Sequence, residues 1–357
     1  MARPTGAGRL TQDFQGNDIE AGIGPESARM KVVRRYLQEL DIELERLEAG
    51  PVAVTCIPDM ANVAWPAKAI FGGLSRGDLE AAAERSPAGT VDPAGDTVAL
   101  SFNCYVIQTP DYVALIDGGI GDSKERPHRP AWHRRETRFL DTLKAIGIAP
   151  EDVDIVINTH LHADHVGWNT RREGETWRPT FPNARYVVSE IELAHWTAVH
   201  EAEPFGTTLH GAFADSVLPI IRSVGFEPVA SDAEVVPGLR LRPAPGHSPG
   251  MVVVSLSTEE GDVLFLADAV HHPLQLGDDS IACNFCGDPR QARATRAALL
   301  ADAAAANTVL APYHFPAPVF GRLEADAASF RFCPLEIEAT GQPANKNAPT
   351  RRHPEEN

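Results

Sequence analysis

The segment His160-Leu161-His162-Ala163-Asp164-His165 concentrates four metal-capable side chains within six residues. An apolar run (Val153, Ile155, Val156, Ile157) precedes it and reads as a buried strand. His160 and His162 are two apart, so on extended backbone they point to the same side. Asp164 and His165 are adjacent and can share a site only if the chain leaves the strand there. Imidazole and carboxylate suit a borderline divalent ion such as zinc, with no thiol needed. Further donors follow later strand signals: His247 on the turn Pro245-Gly246-His247-Ser248-Pro249-Gly250, Asp268 after Val263 to Leu266, and His314 after Thr308 to Ala311. Five of the thirteen histidines fall at these strand ends. The seven donors His160, His162, Asp164, His165, His247, Asp268 and His314 suit two divalent ions sharing one carboxylate and a water. Asp117, ahead of Gly118-Gly119, closes another strand and reads as either a plain turn or a partner of a ligand histidine.

The elements that must carry these residues are read from periodicity. Residues 26 to 48, with Val33, Leu37, Leu40, Leu44 and Leu47 spaced 4, 3, 4, 3, predict an amphipathic helix ended by Gly50-Pro51. Its stripe packs on the chain's own body or forms a dimer seam. Residues 51 to 75 mix apolar side chains with prolines and read as an irregular arm. Strands are predicted over Thr97 to Ile107, Tyr112 to Ile116 (with Asp111 in the turn between them), Tyr186 to Val188, Leu239 to Leu241 and Met251 to Leu256. Helices are predicted over Arg138 to Ile146, Glu190 to His200 and Asp288 to Ala305. His195, His200 and His210 lack metal spacing and read as surface or lid residues.

Composition narrows the function classes. With 357 residues, 43% of them hydrophobic, the chain can bury a large core. Against 32 Lys and Arg stand 49 Asp and Glu, a formal charge of −17, which is the wrong sign for nucleic acid or an anionic membrane. No apolar run approaches the ~18 residues of a membrane span, and Met1 to Gln15 holds no signal-peptide core. Five scattered cysteines do not form a disulfide framework, so a reducing cytoplasm is the expected compartment. Cys283-Asn284-Phe285-Cys286 lacks the second pair a zinc knuckle needs and reads as a substrate-side loop. Residues 1–24 and 336–357 are polar and Gly- or Pro-rich and are expected to be disordered.

His-Leu-His-Ala-Asp-His at 160–165, followed in order by Gly246-His247, Asp268 and His314, resembles the metallo-β-lactamase superfamily over about residues 95 to 320. The resemblance implies an α/β fold, an αββα four-layer sandwich, here a catalytic domain over 95–335 preceded by the helix and arm of 25–94. It implies that His160, His162 and His247 hold one metal, that Asp164, His165 and His314 hold a second, and that Asp268 bridges them. An aspartate at 268 sets the chain apart from the family's β-lactamases, which carry cysteine there. Phe181-Pro182-Asn183-Ala184, Glu190, Trp196 and His314-Phe315-Pro316 are similar to the methyl parathion hydrolase and acyl-homoserine lactonase branch. Lactonases of that branch place tyrosine three residues after the bridging aspartate; here the position is His271, as in the organophosphate hydrolases.

The implied activity is a dizinc hydrolase that cleaves carboxylic esters or lactones by attack of a metal-bridging hydroxide. Asp164 would ligate and pass a proton to the leaving group, and His271 would donate to the oxyanion. Phosphotriester hydrolysis is the alternative. A glyoxalase II-like thioesterase would need a helical, basic C-terminal domain that the sequence lacks. The expected partner is a small-molecule ester or lactone, and the lactonase likeness suggests a homodimer.

Overall fold

The computed structural model describes residues 30–203, 206–326 and 329–338. Two large sheets lie face to face. The first runs Phe226–Val229, Arg185–Ser189, Ile155–Asn158, Val113–Ile116, Thr97–Gln108, Val52–Pro66, Ile42–Ala49, Lys31–Leu37 and Ile337–Glu338, with Val91–Asp92 paired beside Thr97–Gln108. The second runs Glu234–Val236, Leu239–Pro243, Val252–Thr258, Gly261–Phe265, Val309–Ala311, Gly321–Asp326 and Ser329–Pro334. Strands such as Ile155–Asn158, buried at every residue, are Val- and Ile-rich because both faces of the sheet are covered.

Three apolar clusters define the layers. Between the sheets, Val54, Ile107, Ile116, Ile157 and Val187 meet Leu239, Val252, Val254, Val263 and Val309. Outside the first sheet, the helix Phe139–Ala145 contributes Phe139 and Leu143, and the helix Leu218–Arg222 contributes Ile220. Outside the second, the helix Pro289–Ala305 contributes Leu299, Leu300 and Ala303. The result is an αββα sandwich.

Two expectations are corrected. Residues 26–48 do not form a helix: within the described part, Lys31–Leu37 and Ile42–Ala49 pair as an antiparallel hairpin. Val32 and Leu47 face the inter-sheet core, while Leu37, Leu44, Leu40 and Ile42 face the outer cluster. A strand buried on both faces carries apolar residues at both parities, and here their spacing imitates the 4,3 pattern of a helix. The stripe is buried within the chain's own fold, so it offers no exposed dimer seam.

Most of residues 51–75 is likewise regular, and only 51 and 71–75 lack a strand or helix. Val52–Pro66 is a 15-residue strand, paired along its length with Thr97–Gln108. Pro58, which argued against a strand, sits where the register shifts by a bulge, a place where a missing N–H is tolerated. The boundary expected near residue 94 therefore falls inside one continuous sheet. Of the segments expected to be disordered, 1–24 and 339–357 lie outside the described residues, whereas Ile337–Glu338 pairs in parallel with Lys31–Leu37.

Candidate metal centre

The strand Ile155–Asn158 delivers the cluster to one edge of the sandwich. Thr159 is its first residue beyond the sheet, and His165 N donates back to the His162 carbonyl (3.0 Å), curling the segment into a tight loop. His247 arrives on the turn after Leu239–Pro243. Gly246 there has φ +129, and a Cβ at that position would lie 2.2 Å from Ala292 N, so only glycine fits against the N-terminus of the helix Pro289–Ala305. Asp288 caps that helix, accepting from Arg290 N and Gln291 N (3.0 Å each), and its own N–H bonds the Gly246 carbonyl (2.8 Å). Asp268 follows Gly261–Phe265, and His314 follows Val309–Ala311.

The seven residues converge as two sets. The donor atoms of His160, His162 and His247 lie within 4.8 Å of one another, as do those of Asp164, His165 and His314. Asp268 stands between them with one oxygen toward each. Its Oδ1 is 3.1 Å from His165 Nε2 and 3.3 Å from His314 Nε2; its Oδ2 is 3.2 Å from His247 Nε2 and 3.9 Å from His160 Nε2. His271 joins this group as well, with Nε2 3.2 Å from Asp268 Oδ2 and its ring parallel to that of His314.

Four of the rings are engaged on the far side. His165 Nδ1 is 2.9 Å from Asp117 Oδ2, and His314 Nδ1 is 3.0 Å from the Ser101 carbonyl. His160 Nδ1 is 3.2 Å from Thr159 Oγ1, and His247 Nδ1 is 3.7 Å from Cys286 Sγ. Each contact orients its ring and leaves the other nitrogen aimed inward. Asp117, read from sequence as either a turn or a histidine partner, also accepts from Thr159 N and Oγ1 (2.8 Å each).

The donor set fits divalent cations. His160 Nε2, His165 Nε2 and Asp268 Oδ1 are buried without a hydrogen-bond partner, which is costly unless a ligand completes them. His162 Nδ1 and His247 Nε2 stand 2.8 Å apart, two nitrogens that repel unless a proton or a cation lies between them. Burial holds the His160, His162 and His247 pKa values below the ordinary imidazole value, favouring the neutral form that ligates. Burial opposes charge on His165 and His314 too, but Asp268 leads the carboxylates that outweigh it and raise both. Asp268 is held well below the usual carboxylate range, its burial outweighed by His314, His165, His247 and His271.

Two carboxylates that sequence reasoning missed brace the loops. Glu192, buried on the helix Glu190–Ala202, accepts from Leu161 N (3.0 Å), Gly250 N (3.0 Å), Ser248 Oγ (2.6 Å) and Trp196 Nε1 (2.7 Å), joining the 160–165 loop to the His247 turn. The one signal was Gly250, where a Cβ would lie 2.2 Å from Glu192 N. Asp59 accepts from Ile120 N, Trp168 Nε1 and Arg135 Nη1 (2.9 Å each), holding the Asp117 loop. Tyr313 stacks on His165 (3.9 Å) and donates to the Asp164 carbonyl. Of the three histidines read as surface or lid residues, His210 lines the cavity, His195 packs on Trp196 and His200 stacks on Phe213.

The centre opens into a cavity of about 450 Å³ with Leu100, Phe102, Trp65 and Trp132 in its walls. His162 and Asp164 are the partly exposed members of the cluster and face it. Among the described residues no helix is long and apolar enough to cross a membrane.

The metallo-β-lactamase superfamily model matches residues 99–314. The N-acyl homoserine lactonase AiiA of Bacillus thuringiensis subsp. kurstaki is 29% identical over 188 residues, 49% of this chain and 66% of the relative. The chain thus spans just under two thirds of that relative's length. Two solved structures share the fold. The hydrolase AbOPH of the β-lactamase superfamily superposes with a TM-score of 0.67 at 23% identity, covering 82% of this chain and 97% of that one. AidC, a dizinc quorum-quenching lactonase in complex with a product, gives 0.68 at 18% identity, covering 83% and 98%. The family match spans more than half of the sequence and contains every one of the seven converging donors: this chain belongs to the metallo-β-lactamase superfamily.

Proposed function

We propose that the chain is a binuclear metal hydrolase of carboxylic esters and lactones. The observation that carries this reading is Asp268, whose two oxygens each face a separate set of inward-pointing imidazoles. The likeness to N-acyl homoserine lactonases supports lactones as substrates. In this reading His160, His162 and His247 hold one ion, Asp164, His165 and His314 the other, and Asp268 belongs to both. When bound, divalent ions such as zinc supply a water that ionises near neutral pH and an electrophile for the substrate oxygen.

The protein's own groups do the rest. The apolar wall of Leu100, Phe102, Trp65 and Trp132 receives the acyl chain and excludes water from the reacting carbonyl. Asp164, partly exposed at the cavity floor, is positioned to carry a proton to the departing oxygen. His271 presents an imidazole N–H to the oxygen that gains charge. Phosphotriester hydrolysis is the second reading, favoured by the imidazole at 271.

A panel of aryl esters, γ- and δ-lactones, phosphotriesters and glutathione thioesters, each with zinc, manganese and cobalt, tests the choice. Esters and lactones should turn over faster than phosphotriesters. Faster phosphotriester turnover would support the second reading, and glutathione thioesters as best substrates would contradict both.

A further inference from the structure

The cavity wall holds a cation that the hydrolytic chemistry does not use. Arg129 lines the same cavity as His162, Asp164, His271 and His314. Its guanidinium carbon lies 6.0 Å, 5.6 Å and 5.7 Å from the ring centroids of Trp65, Trp132 and Phe285. All three rings line the cavity too.

Among the described residues no side chain or carbonyl accepts a hydrogen bond from this guanidinium and no carboxylate pairs with it. Glu203 lines the cavity yet forms no ion pair with it. Other shielded cations of the fold are matched. Arg126 is bidentate on Asp215 (2.6 and 3.0 Å), Arg135 meets Asp59 at 2.9 Å, and Arg296 donates to the Asp279 carbonyl at 2.7 Å. The indole Nε1 atoms of Trp65 and Trp132 are likewise buried without an acceptor. They are closed to solvent, so the guanidinium is the donor a ligand reaches first.

In this wall the Arg129 guanidinium and the two indole N–H groups lack acceptors among the described residues. Three aromatic faces 5.6–6.0 Å away favour a cation at this position, and a planar guanidinium can meet a carboxylate through two parallel N–H bonds. Arg129 is partly exposed, so a ligand in the cavity can reach its guanidinium and supply the counter-ion that the described residues do not.

We infer that Arg129 is a specificity residue that binds a carboxylate carried on the substrate's acyl chain, remote from the scissile bond, so that the preferred substrates are esters or lactones with an acidic acyl end. This inference rests on the ester-hydrolase reading.

Two arms separate them. In the first, kcat/KM is compared for mono-4-nitrophenyl glutarate and 4-nitrophenyl valerate, acyl chains of equal length with and without the carboxylate. The wild-type ratio should favour glutarate and shrink as salt rises. Arg129→Met should lower that ratio about 10–100-fold, mainly through KM, and Arg129→Lys should recover part of it. A ratio unchanged by Arg129→Met would overturn the inference. In the second arm, calorimetry on the zinc-loaded protein compares glutaric acid monoanilide with valeranilide, amides chosen to bind without turnover. Tighter binding of the acidic anilide that is lost in Arg129→Met supports the inference. Equal binding of the two, or acidic binding that survives in Arg129→Met, refutes it. If neither ester is hydrolysed, the hydrolase reading fails and the calorimetry still decides for or against Arg129.

Discussion

The inward-pointing nitrogens of His160, His165, His247 and His314 have their orientation set by what holds the opposite side of the ring, so individual side chains can be tested in pairs. Asp117 holds His165 through Nδ1 at 2.9 Å, and the pair is fully buried. Asp117→Asn should weaken metal binding by the Asp164, His165 and His314 set about 10–100-fold, measured by competition with a chelator, while the other set is little changed. Equal loss at both sets would show that Asp117 acts on the fold rather than on His165. His271 is the complementary case. His271→Ala should lower kcat about 10–100-fold with metal content retained, since one donor to the developing charge is lost. Loss of an ion instead would make His271 a ligand, a role its 3.2 Å distance from Asp268 Oδ2 allows. At this scale the donors were legible because imidazole and carboxylate at strand ends form an unusual pattern in sequence. Glu192 and Asp59 were not, because a single carboxylate among 49 acidic residues has no signature until its four or so donors are folded around it.

The helix Glu190–Ala202 reaches the site through Glu192 and Trp196. Glu192 closes the gap between two loops, and Glu192→Ala would leave Leu161 N, Gly250 N and Ser248 Oγ without their acceptor. Denaturant unfolding should register a loss of about 3–5 kcal/mol, with Glu192→Gln milder; a loss under about 1 kcal/mol would contradict the bracing role. A second buried junction ties the 121–135 segment to the turn Phe213–Val217. Lys124 donates to Thr170 Oγ1 (2.7 Å) and lies over the Trp177 ring (3.7 Å), and burial pushes its pKa down to about 7, against the opposing pull of Asp215. Its unfolded value is about 10.4, so between about pH 7 and 10 the unfolded chain holds a proton that the folded chain has released. Stability therefore rises with pH across that window. Melting curves of wild type and Lys124→Met should diverge, the wild type gaining relative to the variant from pH 7 to 10; parallel curves would contradict the shift. Helices such as Phe139–Ala145 and Pro289–Ala305 were legible because their apolar stripes face one layer only. The hairpin of Lys31–Leu37 and Ile42–Ala49 was not, because its partners on both faces come from residues distant in sequence.

Across the whole molecule, two sheets packed face to face bring the loops after Ile155–Asn158, Leu239–Pro243, Gly261–Phe265 and Val309–Ala311 to one edge, and that convergence is what makes scattered donors into one centre. The αββα class was legible through the ordered run of ligand motifs. The long pairing of Val52–Pro66 with Thr97–Gln108 was not, since proline content obscured the strand and only the folded register reveals the bulge that accommodates it. In the proposed reading Asp268 joins two metal sites into one catalytic unit. Elemental analysis of fully active protein, alongside Asp268→Ala prepared identically, tests it most directly. The active protein should carry two divalent ions per chain, lose activity on chelation and regain it with zinc, and Asp268→Ala should lose both ions together. Full activity with one ion or none would contradict it.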